Sequence, residues 1–240
     1  MVVVVGPDAE TYLHSQLSQD IIGLPIGAVV ASLVLEPTGR VDALVRVTRI
    51  APEVFEVDID AGFGEQLMAR LKRFKIRVNA EMELVMRSCV AIRGKGADAL
   101  GVVGDVRPAW WMDGDAIDVF GAAVLPDIKQ LSGDAVQEVR LSAGWPAMGS
   151  EITPDALPAE LGVTSIAVSF KKGCYPGQEL VERMDSRGAQ APRTLCKVPS
   201  NISASDIEIT SVAGSAALAY VKRGIELASI GATPVGPSGN

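Results

Sequence analysis

One histidine, His14, and three cysteines, Cys89, Cys174 and Cys196, are the only imidazole and thiol groups in the 240-residue sequence. The cysteines lie far apart with no C-x-x-C pair, so a single chain lacks the ligands for a closed zinc or iron–sulfur site. An odd cysteine count without a secretory feature leaves reduced thiols as the expected state. Basic charge is also short, with 22 lysines and arginines against 29 aspartates and glutamates, a formal net charge of −7. That balance opposes a polyanionic partner such as DNA unless a local basic patch exists. No run approaches the roughly 18 consecutive apolar residues of a membrane span. The opening MVVVVGPDAE has no basic lead-in and is cut short by Gly6-Pro7. It reads as a strand, and the protein as cytoplasmic, with no nucleic-acid or membrane partner. The segment G-K-G at 94–96 lacks the spacing of a phosphate loop.

What is present is an ordinary globular composition, 48% hydrophobic and 21% charged, long enough to bury one large core or several smaller ones packed together. Asp8 is a plausible N-cap for a helix carrying Tyr12, Leu13, Gln16 and Leu17, with His14 a satisfied residue of that helix rather than a base. GAVVASLVLEP and VDALVRVTRI are β-branched runs either side of P-T-G, which predicts a hairpin. VFEVDIDA alternates with period two and predicts a further strand, followed by a helix over about Glu65 to Phe74. Arg70, Lys72, Arg73, Lys75 and Arg77 form the densest basic run, suited either to an anionic tail or to a solvated helix face. Cys89 sits in a strand and is expected as a small buried hydrophobe. Trp110 and Trp111 are expected in the core or at a domain interface. A helix from Asp134 leads into a loop-rich stretch too long for an idle connection. The alternation of elements gives an α+β body over 1–190, mixed rather than doubly wound, and a small all-β unit over 191–240.

The densest chemistry lies in SFKKGCYPGQELVERM, residues 169–184. Neighbouring cations favour the thiolate, the nucleophilic and metal-ligating form, and Cys174 has Lys171 and Lys172 upstream and Arg183 and Arg187 downstream. Gly173 and Gly177 permit a sharp turn, with Pro176 fixing φ between them. Gln178 and Glu179 open a helix, and Glu179 complements its dipole. A structural turn with an incidental cysteine accounts for the same residues, since no histidine lies nearby to complete a Cys–His pair.

Lys172-Gly173-Cys174-Tyr175, followed by Gly177-Gln178-Glu179, resembles the K-G-C-[YF]-x-G-Q-E motif of YgfZ-type folate-binding proteins in the superfamily of the glycine-cleavage T-protein, an aminomethyltransferase. The resemblance runs along nearly the whole chain. YLHSQLSQDI resembles the family's first helix and LEPTGRVDALVRV its first hairpin. RLSAGWPAMGSEI, with Arg140, Gly144, Pro146, Gly149 and Glu151, resembles the superfamily's R-x-x-x-G-x-P-x-x-G-x-E segment, and Pro158 and Glu160 the P-x-E after it. The resemblance implies interleaved mixed α/β lobes of the aminomethyltransferase folate-binding type and a C-terminal β-barrel, shortened here, around a central folate channel. It implies a tetrahydrofolate-binding factor that assists assembly or repair of clusters in iron–sulfur enzymes. Cys174 is then the working thiol, with Lys172 lowering its pKa, and Tyr175, Gln178, Glu179, Arg140 and Glu151 become cofactor-binding candidates.

The alternative that the superfamily implies is a folate-dependent one-carbon transferase, whose amine would need a carboxylate from Asp42, Asp58 or Asp60. Two T-protein features are missing. VDIDAGFGEQLM stands where those proteins carry an N-A-x-x-x-x-K-D segment tied to one-carbon transfer, and VFGAAVLPDIKQ stands where their GYTGE glutamate grips the pterin. Both departures count against aminomethyl transfer.

Overall fold

A computed structural model describes residues 1–111, 116–125, 127–186 and 191–236. The N-terminal part runs β1 (Val2–Val5), α1 (Ala9–Gln16), β2 (Val29–Leu35), β3 (Val41–Ala51), β4 (Val54–Asp58), α2 (Gly64–Arg73) and β5 (Glu81–Leu84). Its strands pair in the order β2-β3-β4-β1-β5, antiparallel throughout. The predicted hairpin is β2–β3, with Leu33 opposite Leu44. Strand β1 lies between β4 and β5, which explains its unbroken valines. Val2 and Val4 face the core and are fully buried, while Val3 and Val5 turn outward.

A second antiparallel sheet, in the order β6-β8-β7, consists of β6 (Cys89–Arg93), β7 (Val103–Pro108) and β8 (Ala116–Val124). Then follow α3 (Gly133–Ala143), α4 (Thr164–Ala167) and α5 (Gln178–Ser186). Ser132 caps α3 by accepting the Ala135 N–H, and Gly144 closes it in the left-handed region at φ 72°. Strands β9 (Arg193–Pro199), β10 (Ile207–Ala213), β11 (Ala216–Lys222) and β12 (Thr233–Pro234) complete the chain in the order β10-β11-β9-β12.

One large core runs from Val2 to Val235 and takes in Leu195, Leu218 and Tyr220 of the C-terminal sheet. That sheet has its own smaller cluster on the opposite face, around Cys196, Ala219 and Val221. The architecture is the expected mixed α+β type. Among the described residues the C-terminal strands form an open sheet rather than a closed barrel, since β10 and β12 do not pair. Two local expectations are corrected. Cys89 is exposed, because β6 is an edge strand whose Cys89–Ala91 stretch reaches solvent. Asp8 takes the N-cap position of α1, but its carboxylate makes no capping bond and accepts instead the Asn79 N–H at 2.7 Å.

Candidate functional site

The 169–184 stretch forms a turn wedged against the end of the β2–β3 hairpin. Gly177 has φ 80°, and a Cβ there would stand 2.6 Å from the Glu36 carbonyl oxygen and 2.9 Å from Gly39 Cα. Tyr175 is buried in the main core and its N–H is accepted by Gln178 Oε1. The Gln178 amide also donates to Glu182, and Glu179 pairs with Arg183 one turn on at 2.7 Å. Lys172 reaches back to α1, where its ammonium donates to the carbonyls of His14 and, at 2.5 Å, Leu17, with the Tyr175 ring 5.1 Å away. These carbonyls close the C-terminal end of α1, where a cation is favoured. Burial lowers the Lys172 ammonium to about 8. Cys174 is exposed at the outside of this turn. Lys171 is exposed beside it, and Arg187 lies outside the described residues.

Arg140 and Glu151 are brought together elsewhere, between α3 and the C-terminal sheet. Glu151 has no exposed surface. Oε2 accepts from Arg140 Nη1 at 2.9 Å and from the Ala147 N–H at 3.0 Å, and Oε1 from the Thr210 and Ser211 hydroxyls at 2.8 and 2.5 Å. Tyr220 donates to the Glu151 carbonyl at 2.7 Å. The carboxylate is saturated with protein donors and ties β10 to the loop after α3, and the Glu151 carbonyl ties β11 to the same loop.

Two cavities meet at Trp111. The first, about 520 Å³, is lined by Asp60, Phe63, Arg140, Met148 and Ser211 among others. The second, about 470 Å³, opens where all three sheets approach one another, with Ala31 and Arg46 from the first, Pro108 from the second and Lys197 from the third. Trp110 and Trp145 add aromatic walls, edge to face at 5.7 Å between ring centres. Among the described residues its lining includes two cations and no carboxylate. Arg46 is committed to Asp58 and Asp118 and lies 5.2 Å from the Trp110 ring centre. Lys197 has no ion pair or hydrogen bond among the described residues, and the Trp145 indole N–H is buried without a partner. A buried donor without an acceptor is costly unless a ligand or water supplies one.

Neither cavity is lined by Lys172, Cys174, Tyr175, Gln178 or Glu179, nor by the basic run at 70–77. Within that run Arg70 is buried and held by the Leu35 carbonyl and Asp42, while Lys72, Arg73 and Arg77 are exposed. Of the three candidate aspartates, Asp42 is taken up by Arg70 and Gln66, and Asp58 by Arg46 and Arg107. Of the three, Asp60 lines the first of these cavities, and Asp42 and Asp58 line neither. Among the described residues no three His, Cys, Asp or Glu side chains gather as a metal site, and no helix is long and apolar enough to cross a membrane. Arg46, Trp145 and Lys197 are the site residues that sequence reasoning passed over. The Trp110-Trp111 pair was the available signal: Trp111 lines both cavities and Trp110 the second.

No family model matches the chain. It is 31% identical over 214 residues to "Iron-sulfur cluster assembly factor IBA57 homolog, mitochondrial" of Pyricularia oryzae, covering 81% of this chain and 54% of that protein. It is 25% identical over 219 residues to "tRNA-modifying protein YgfZ" of Photobacterium profundum, covering 78% of this chain and 64% of that one. The chain thus spans between half and two thirds of the length of these curated relatives. Its fold is that of the glycine cleavage system aminomethyltransferase T from Bartonella henselae, with a TM-score of 0.76 at 20% identity, covering 92% of this chain and 75% of that one.

Proposed function

The chain is a YgfZ-type member of the aminomethyltransferase superfamily, and from that premise we propose that it binds tetrahydrofolate in the cavities meeting at Trp111 and assists assembly or repair of iron–sulfur clusters through Cys174. The observation that carries the folate half is the second cavity. Three tryptophans and, among the described residues, an unpartnered indole N–H and a lysine without a counter-ion suit a flat heteroaromatic ligand with an anionic tail. Folate has that shape and charge. The cluster is cargo in this proposal, handled by a thiol that the turn presents outward. Lys172, Tyr175 and Gln178 hold the turn in place, and Glu179 braces the first turn of α5 through Arg183. Arg140 lines the first cavity and is held there by its ion pair with the buried Glu151.

Calorimetric titration of tetrahydrofolate into the reduced protein under anaerobic conditions, repeated with Cys174→Ala, tests the two halves separately. Micromolar binding is expected in both forms, with Cys174→Ala failing to restore iron–sulfur enzyme activity in cells lacking the protein. Absence of binding in both forms overturns the folate half. Full restoration by Cys174→Ala overturns the thiol half.

A further inference from the structure

The two cavities differ in charge. The first contains a carboxylate, Asp60, which forms no ion pair among the described residues. Its Oδ2 accepts the Met148 N–H at 2.9 Å, leaving acceptor capacity on the other oxygen. Phe63 and Trp111 flank it with flat apolar surface, and Phe63 is held by Gly149, where a Cβ would stand 2.9 Å from its ring. The second cavity is lined by Lys197, whose stem passes over Gly144 at the close of α3, its Cδ 3.5 Å from where a Cβ on that glycine would stand.

A folate is polar in the complementary sense. Its pterin presents an N–H and an amino group side by side, two donors that a carboxylate can accept together, and its far end carries carboxylates. Resting on the folate reading above, we infer that one folate lies across Trp111 in a fixed direction, with Asp60 reading the pterin edge and Lys197 the carboxylate tail. Burial raises the Asp60 carboxyl above its ordinary range, with the Met148 N–H and Arg140 opposing that shift. A ligand donating two hydrogen bonds would return it toward the ionised form.

Calorimetric titration of tetrahydrofolate and of tail-less tetrahydropterin into wild type, Asp60→Asn and Lys197→Ala tests this. Asparagine keeps an acceptor for Met148, so the fold is retained, and thermal melting checks it. Asp60→Asn is expected to weaken both ligands by about 10- to 100-fold, the scale of losing hydrogen bonds to a charged group. Lys197→Ala is expected to weaken tetrahydrofolate by about tenfold and to leave tetrahydropterin unchanged. Wild-type binding that Asp60→Asn leaves intact overturns the inference and spares the folate reading, as does an equal loss of both ligands in Lys197→Ala. Absence of binding to wild type overturns both. A second readout is the wild-type affinity for tetrahydropterin, expected to fall as pH drops through the Asp60 pKa and to lose that dependence in Asp60→Asn.

Discussion

Lys172 shows how a residue's sequence neighbours can mislead about its partners. By sequence it flanks a cysteine by two positions, and the expectation was a cation placed to favour a thiolate. In the fold its ammonium turns toward the last carbonyls of α1, 155 residues away in the chain at Leu17. The contact joins two distant segments, and no local pattern encodes it. Its pH consequence is specific. Burial lowers the folded-state pKa from 10.5 to about 8, so between these values the unfolded chain holds more protons than the native one. Stability from this group therefore rises as pH climbs from about 8 toward 10.5, and it is flat below that window. Urea unfolding of wild type and Lys172→Met across this range should show the rise in wild type relative to the variant. The comparison cancels Tyr12 and Tyr220, whose raised pKa values act in the opposite sense. Parallel curves would contradict the assignment.

At the scale of elements, the β2–β3 hairpin, β4 and α2 were legible from their period or their turn residues, and β1 from a run of valines stopped by Gly6-Pro7. The openness of the C-terminal sheet was not, since closure depends on which edges meet rather than on any strand's composition. The K-G-C-Y-P-G-Q-E turn was legible as a turn, while the surface it rests on was not. Gly177 makes that dependence measurable. A side chain there must adopt the left-handed region, at about 1–2 kcal/mol, and must also displace the Glu36 carbonyl. Gly177→Ala is expected to cost at least about 2 kcal/mol in chemical denaturation and to speed amide exchange at the hairpin end around Gly39. Gly173→Ala, where a Cβ meets nothing within 4 Å, is the matched control and should be near neutral. Equal effects of the two would show that the wedge against the hairpin carries no energy.

Across the whole molecule, the first and second sheets are joined by a chain of charges, buried at Arg46, Asp58, Arg107 and Asp118, that no window of sequence reveals. Arg46 bridges Asp58 at 3.1 Å and Asp118 at 2.7 Å, and Asp118 also takes Arg93 at 2.7 Å and the Trp110 N–H at 2.9 Å. Arg107 extends the chain to Glu56 and Asp105, and Arg87 returns from Asp105 to Glu56. The Phe120 ring lies within 6 Å of three of these guanidinium groups. Breaking a buried pair on one side leaves the other charge uncompensated, at about 3–5 kcal/mol. Asp118 is the node with the most consequence, because it fixes both Arg46 and Trp110, which line the second cavity. The second sheet has only a small core of its own, around Ile92, Ile117 and Val119, so its attachment leans on these charges. Asp118→Ala is expected to lower stability by about that amount and to speed amide exchange in β6, β7 and β8 well before β1–β5. Tetrahydrofolate affinity should fall with it, as the cavity wall loosens. Exchange that accelerates equally in both sheets would mean that the network stabilises the molecule as a whole without holding the second sheet to the first, and the cavity would then owe its shape to packing alone.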